Sequence, residues 1–221
     1  MVDHTRLGVK QTDFLLQQEW GFCFVDQTPV TPEDTQKVLE KIGPVRHTHY
    51  GGFYDFIPDM ALADTAYTNL ALRAHTDTTY FTEPARLQAF HMLSHETNGQ
   101  EQATGGESLL VDGFRAATML AHRDPANYEA LATLEIPWHA SGNEGISITP
   151  DTAFPVLERR AGHVFRVRWN NDDRGVLPLF AGIKTTEWYR AASHWNSILR
   201  MPTSEYRFPL KPGSLLSKFL F

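Results

Sequence analysis

Apolar positions recur with a helical period in four stretches and with a two-residue period in several shorter ones. Thr31-Pro32-Glu33-Asp34 sets a capping threonine, a proline at the first helical position and an acid at the third, with Gly43 as the C′ residue. Val38, Leu39 and Ile42 give that helix one apolar face. Residues 113–122 (GFRAATMLAH) predict a second helix, and Asp124-Pro125 opens a third in which Tyr128, Leu131 and Leu134 fall at helical spacing. A fourth is predicted from about Thr186 to Met201, with Trp188, Ala191, Trp195 and Leu199 on one face. Strands are predicted at 20–25, 71–77, 87–93, 108–112, 163–169 and 205–210. In 163–169, His163, Phe165, Val167 and Trp169 alternate with Val164, Arg166 and Arg168, the pattern of a strand with one buried face. The polar, glycine-bearing stretch 96–107 reads as a surface loop between two strands. Many short strands with a few peripheral helices predict an antiparallel sandwich or barrel. The chain has no GxGxxG after a strand and no GxxxxGK[ST], which removes the main support for a nucleotide-binding fold.

Composition narrows the function classes. With 221 residues, 42% hydrophobic and 21% charged, the chain reads as one globular domain spanning 1–221. Twenty Lys and Arg against 26 Asp and Glu leave a formal charge of −6, and no basic run exceeds two residues. Nucleic acid is therefore not an expected partner, because phosphate contacts need clustered cations. Cys23 is the only cysteine, so no internal disulfide and no Cys-based zinc site can form, which fits a reducing compartment. No apolar run approaches a membrane span of about 18 residues. The N-terminal stretch carries Asp3 and no apolar core, so no clear targeting segment is expected; a cytoplasmic or mitochondrial protein fits.

His75-Thr76-Asp77 is the sharpest local chemical feature. On a strand, residues i and i+2 share a face, so imidazole and carboxylate would converge on one volume and supply two ligands of a 2-His-1-carboxylate iron triad. An isolated HxD is far more often a surface or core pair than a metal site. Its surroundings are more specific: Asp64-Thr65-Ala66-Tyr67-Thr68, then His75-Thr76-Asp77-Thr78-Thr79-Tyr80-Phe81, then Thr104-Gly105-Gly106-Glu107-Ser108, then Val111-Asp112-Gly113-Phe114. This combination resembles the Fe(II)/2-oxoglutarate dioxygenases of the taurine-dioxygenase-like superfamily. Within it the blocks are similar to the two hydroxylases of carnitine biosynthesis, over about Trp20 to Pro212.

The resemblance implies a mainly β fold with flanking helices, the double-stranded β-helix or jelly roll. It implies Fe(II) held by His75 and Asp77, 2-oxoglutarate as cosubstrate and ascorbate as reductant. Tyr50, Tyr54 and Tyr67 match an aromatic cage for a trimethylammonium group, which has no hydrogen to donate and is recognised by ring faces. Position 54 is tryptophan in relatives, and outside the family context these three would read as core or rim tyrosines. Ser108 stands where relatives place a threonine hydroxyl on the far carboxylate of 2-oxoglutarate. Asn170 and Asn171 match a segment that contacts the substrate's carboxylate end, although Asn and Asp also favour turns.

The expected partner is thus a small molecule, N6,N6,N6-trimethyllysine, with γ-butyrobetaine as the alternative substrate; a homodimer is compatible with it. In the family a second histidine and an arginine follow a Lys-Pro-Gly segment. Here Lys211-Pro212-Gly213 is followed by neither, since no histidine comes after His194 and no arginine after Arg207. The expectation is a C-terminally truncated member, with the jelly roll incomplete at that end and turnover impaired. A quaternary-ammonium-binding remnant without turnover is the rival of another class. His91 is expected to be a hydrogen-bonded core residue, and Cys23 an inert small hydrophobe.

Overall fold

The computed structural model describes residues 20–56, 71–95, 105–141, 145–177 and 183–220. In chain order its elements are β1 (Phe22–Val25), α1 (Pro32–Ile42), β2 (Leu87–His91), β3 (Glu107–Val111), α2 (Gly113–Arg123), α3 (Pro125–Thr133), β4 (Ala140–Ser141), β5 (Ser147–Ile148), β6 (Leu157–Arg160), β7 (His163–Val167), α4 (Ile183–Leu199), β8 (Glu205–Pro209) and β9 (Leu215–Phe219). The chain divides into two compact units. One comprises Met1–Ile57, Ala85–Ser108 and Arg207–Phe219; the other comprises Pro58–Pro84, Leu109–Tyr206 and Leu220–Phe221. β3 pairs with β8, and the division between units falls inside both strands. No helix among the described residues is long and apolar enough to cross a membrane.

In the first unit, α1 starts as its sequence dictates. Thr31 is extended, its hydroxyl oxygen accepts the Asp34 amide at 3.2 Å, and Pro32 fills the first turn where no donor is needed. Gly43 closes the helix with its amide on the Leu39 carbonyl, but in extended backbone (φ 172°), so the expected left-handed glycine cap is not used. Three strands form the sheet, in the order β1-β9-β2, all antiparallel; Cys23 faces Ser217 on one side of β9, and Ala89 faces it on the other. β9 is absent from the predicted strands. As the central strand it buries Leu215, Leu216 and Ser217 in succession, so it lacks the alternation that marks a half-buried strand. Its approach depends on Gly213, at φ +87°, where an added Cβ would lie 3.3 Å from the Thr28 carbonyl oxygen. The amide of Thr28 donates to the Gly213 carbonyl and the Gly213 amide to that of Met92, tying both flanking segments to this turn. His91 is a hydrogen-bonded core residue as expected: Nδ1 lies 2.6 Å from the Thr35 hydroxyl, which itself donates to the Thr31 carbonyl. Burial holds the His91 pKa below the ordinary histidine value.

In the second unit, Asp124 serves two helices. Its amide caps the C-terminus of α2 on the Leu120 carbonyl, while its carboxylate accepts the Asn127 amide to start α3. The predicted apolar face of α4 is the buried one: Trp188, Ala191, Trp195 and Leu199 join Leu120, Leu131, Ile136, Trp138 and Leu157 in the core. β6 and β7 form an antiparallel hairpin with a register shift between Glu158 and Arg159. The predicted one-faced strand 163–169 is corrected here. β7 ends at Val167, and both Arg168 and Trp169 are buried while His163 is exposed. A second correction concerns 71–77, which is not a strand. Its polar run, Arg73 to Asp77, is fixed by cross-segment bonds and not by a ladder. The stretch 96–104 lies outside the described residues.

Leu131 is fully buried at the centre of the helical core. Leu131→Ala is expected to lower unfolding stability by about 2–5 kcal/mol, against about 1 kcal/mol for Thr31→Ala at the α1 cap, both read from urea midpoints.

Candidate functional site

His75 and Asp77 do converge, but not by strand geometry. Nε2 of His75 lies 3.2 Å from Oδ1 of Asp77, and both side chains are about one-third exposed, at 27% and 32%. Nδ1 of His75 sits 2.6 Å from the Arg73 carbonyl oxygen. A carbonyl only accepts, so Nδ1 carries the hydrogen and Nε2 is the atom left to accept a proton or bind a metal. Two lone-pair atoms at 3.2 Å would repel with nothing between them. A proton on Nε2 or a cation shared with the carboxylate satisfies both, and this donor set fits two adjacent ligand positions of a divalent iron site. Among the described residues, no group of three or more His, Cys, Asp or Glu is arranged to hold a metal ion.

Thr76, between His75 and Asp77, ties the backbone that carries both side chains. Its amide donates to the Trp169 carbonyl at 2.7 Å, and its hydroxyl oxygen accepts the Trp169 amide at 2.9 Å. Three residues on, the Thr79 hydroxyl donates to Asp173 Oδ2 at 2.5 Å. The segment 169–173 is therefore bonded alongside 76–79 at both of its ends. Between them Thr78 adopts φ +57°, a left-handed conformation that costs a β-branched residue on the order of 1–3 kcal/mol and persists only where its surroundings over-determine it. The Arg168 guanidinium supplies much of that determination. It donates to the carbonyls of Thr79, Phe81 (2.7 Å) and Thr82 (3.4 Å) and pairs with Glu158 at 2.9 and 3.0 Å. Burial draws its pKa downward, which the Glu158 carboxylate opposes.

Asp173 is the most perturbed carboxyl of this neighbourhood. Burial pushes it up to about 6; the Thr79 hydroxyl and His75 act the other way, and the Asp77 charge adds to the rise. Neither Asp173 nor Arg168 stands out in the sequence. Asp173 lies in a run that reads as a turn, and Arg168 sits at an alternation position that predicts solvent.

The other expected site residues fall as follows. The Asn170 side-chain oxygen accepts the Asp172 amide at 3.1 Å, closing a turn, and Asn171 is exposed. Both belong to the unit that holds His75 and Asp77. Tyr50, Tyr54 and Ser108 belong to the other unit. Thr48 and Gly51 exchange two backbone hydrogen bonds (2.8 and 3.0 Å), and the Thr48 hydroxyl accepts the Tyr50 amide, so Tyr50 projects from a tight hairpin turn. Its ring stacks on Tyr54 with centroids 5.6 Å apart and planes at 25°, and Tyr54, 43% exposed, lies 5.9 Å from Phe56. Two of the three expected rings are thus brought together; Tyr67 lies outside the described residues. Ser108 is the second residue of β3 and half-buried. Cys23 sits in β1, partly covered.

A protein-family description, "Taurine catabolism dioxygenase TauD, TfdA family", matches residues 5–217, and the chain belongs to that family. Trimethyllysine dioxygenase of Neurospora crassa is 51% identical over 229 residues, covering 90% of this chain and 49% of the relative. The mitochondrial trimethyllysine dioxygenase of Homo sapiens is 37% identical over 96% of this chain and 49% of its own length, and the human gamma-butyrobetaine dioxygenase 22% over 84% and 47%. The chain spans about half the length of the curated relatives it matches. Among solved structures, an asparagine oxygenase in complex with Fe(II), 2S,3S-3-hydroxyasparagine and succinate aligns with TM-score 0.61 at 12% identity, covering 94% of this chain and 69% of that one. An alpha-ketoglutarate-dependent taurine dioxygenase from Burkholderia xenovorans aligns with 0.59 at 14%, covering 99% and 77%. The fold is accordingly the jelly roll of this family.

Asp173 yields a pH prediction. Its folded pKa of about 6 lies above the ordinary 3.8, so the folded chain binds more protons between those values and charging Asp173 costs stability as pH rises. Asp173→Asn keeps an acceptor for Thr79 and is expected to be more stable than the parent at neutral pH, with the difference gone below about pH 4. Urea unfolding across that range, with a chelator present, checks it; an equal difference at every pH contradicts it.

Proposed function

We propose that the chain carries the catalytic centre of an Fe(II)- and 2-oxoglutarate-dependent dioxygenase that hydroxylates N6,N6,N6-trimethyllysine, a reaction of carnitine biosynthesis. The observation that carries this is the His75–Asp77 pair, with Nε2 and Oδ1 at 3.2 Å and the imidazole turned by the Arg73 carbonyl. The 51% identity to a trimethyllysine dioxygenase, against 22% to the human gamma-butyrobetaine dioxygenase, supports the substrate. Iron bound there supplies the oxidising chemistry for an unactivated C–H bond while 2-oxoglutarate is converted to succinate and CO₂. Both units belong to one catalytic domain in this reading, and ascorbate keeps the metal reduced. The names of the mouse and human relatives support a mitochondrial location.

This chain's own residues have defined tasks. His75, with its hydrogen held on Nδ1, offers Nε2 as a donor, and Asp77 contributes negative charge beside it, so a divalent cation takes the place of a proton shared between them. Tyr50, Tyr54 and Tyr67 are the cage assigned to the trimethylammonium group, where a cation–π attraction replaces hydrogen bonding, and the stacked Tyr50 and Tyr54 rings support it. Ser108 donates its hydroxyl to the far carboxylate of 2-oxoglutarate. Asn170 and Asn171 lie toward the substrate's carboxylate end, with Asn170 already held by its bond to the Asp172 amide.

A second reading has its own support: among the described residues the pair has no third histidine or acid arranged with it. On that reading the chain binds a quaternary ammonium ion without turnover. Succinate formation by the purified chain, with Fe(II), 2-oxoglutarate and ascorbate, decides between them. Trimethyllysine is expected to stimulate it, γ-butyrobetaine less so and lysine not at all, with His75→Ala and Asp77→Ala at background and Tyr54→Ala raising KM more than it lowers kcat. Trimethyllysine binding with no succinate from the folded chain supports the second reading.

A further inference from the structure

We propose that Arg168 is a positioning residue for the His75–Asp77 pair: anchored on Glu158, its buried guanidinium holds the backbone just after Asp77 in the strained conformation that aims both ligands. The proposal rests on the metal-binding reading of that pair and deepens it.

Since 71–77 forms no strand, no ladder of backbone bonds fixes the direction of the two side chains. The Thr76–Trp169 bonds and the turn at Thr78 do so together, and the turn's φ of +57° is one that a threonine leaves when free to. Arg168 is 1% exposed, and its planar fork meets three carbonyls downstream of that turn on one side and a single carboxylate oxygen of Glu158 on the other. Its guanidinium also lies over the Phe154 ring, 4.2 Å from the centroid, so it cannot swing away. Glu158 is fixed in turn by Arg166, whose other nitrogen bonds Glu83. The next residue along the chain, Trp169, makes the two bonds to Thr76 between the ligands. One buried cation therefore braces both strands of backbone that meet at the metal-binding pair. A lysine would keep the charge but not the fork, because an ammonium group cannot span carbonyls of residues 79–82 and the carboxylate together.

The test uses the purified chain with two readouts. In the metal-free chain, amide hydrogen exchange at Thr76 and Trp169 is expected to speed up roughly tenfold or more in Arg168→Lys, while α4 amides keep their protection. With Co(II) alone as probe, followed by its visible absorption, the same variant is expected to bind roughly tenfold or more weakly, in the range for residues that orient metal ligands. Arg159→Lys, on the exposed Arg159–Glu129 pair of the same hairpin, serves as control and should leave both readouts unchanged. Adding Thr78→Gly to Arg168→Lys should restore most of the Co(II) affinity, since glycine adopts the turn without bracing; a residue that merely stabilised the unit would not be rescued there. If Arg168→Lys does not fold, Glu158→Gln replaces it, with faster exchange at the same two amides expected. Parental exchange at Thr76 and Trp169 in a folded Arg168 or Glu158 variant overturns the proposal. Absence of His75-dependent Co(II) binding by the parent overturns the metal reading instead, and leaves the exchange result to decide the role of Arg168.

Discussion

The bonds between Thr76 and Trp169 are the constraint on which the candidate site depends. One amide donates to a carbonyl and another amide donates to a hydroxyl, so the single residue between His75 and Asp77 is held from both directions. A ladder would have fixed the pair by repetition along a strand. Here the same result is reached with few bonds, each essential, which is why a strained turn, a buried guanidinium and a buried carboxyl are all found within a few residues of it. Each of these is costly alone, and each is tolerable because a neighbour supplies its missing partner.

Charge burial on this scale has a direction. Arg168 and Glu158 neutralise one another inside the unit, with Arg166 and Glu83 extending the chain of pairs outward to solvent. Such networks contribute more to a unique arrangement than to net stability, because desolvation absorbs much of the attraction. Asp173 lies at the other limit. It has a hydroxyl donor in Thr79, and burial, with the Asp77 charge adding to it, pushes its carboxyl up to about 6. Unit stability and site electrostatics are therefore coupled through the same few residues.

Much of the architecture was legible from residue pattern alone, for reasons that differ by element. The four helices announced themselves through local chemistry: Thr31 with Pro32, Asp124 with Pro125, and the tryptophan-rich face of α4. The HxD pair was legible as chemistry but not as geometry, because its convergence comes from Trp169, more than ninety residues away. β9 was hidden for the opposite reason: a central strand shows no alternation, and Leu215-Leu216-Ser217 are simply all inside. Arg168 was hidden because alternation assigns a charged residue to solvent, whereas a distant turn of backbone carbonyls receives it. Two tyrosines of the expected cage came together, as the spacing of Tyr50 and Tyr54 in one short segment allows.

The place of β9 in its sheet governs the order in which the chain can be assembled. β1 and β2 are both made before β9, and among the described strands they are joined through it, each pairing with residues 215–219. While the polypeptide emerges from the ribosome, both wait as open edges until residues 215–219 have been made. Meanwhile α2, α3 and the β6–β7 hairpin close over short loops and can condense first. The interval in which those two edges stand exposed, with Phe22, Phe24 and Phe90 along them, is the period when a chaperone has most to protect.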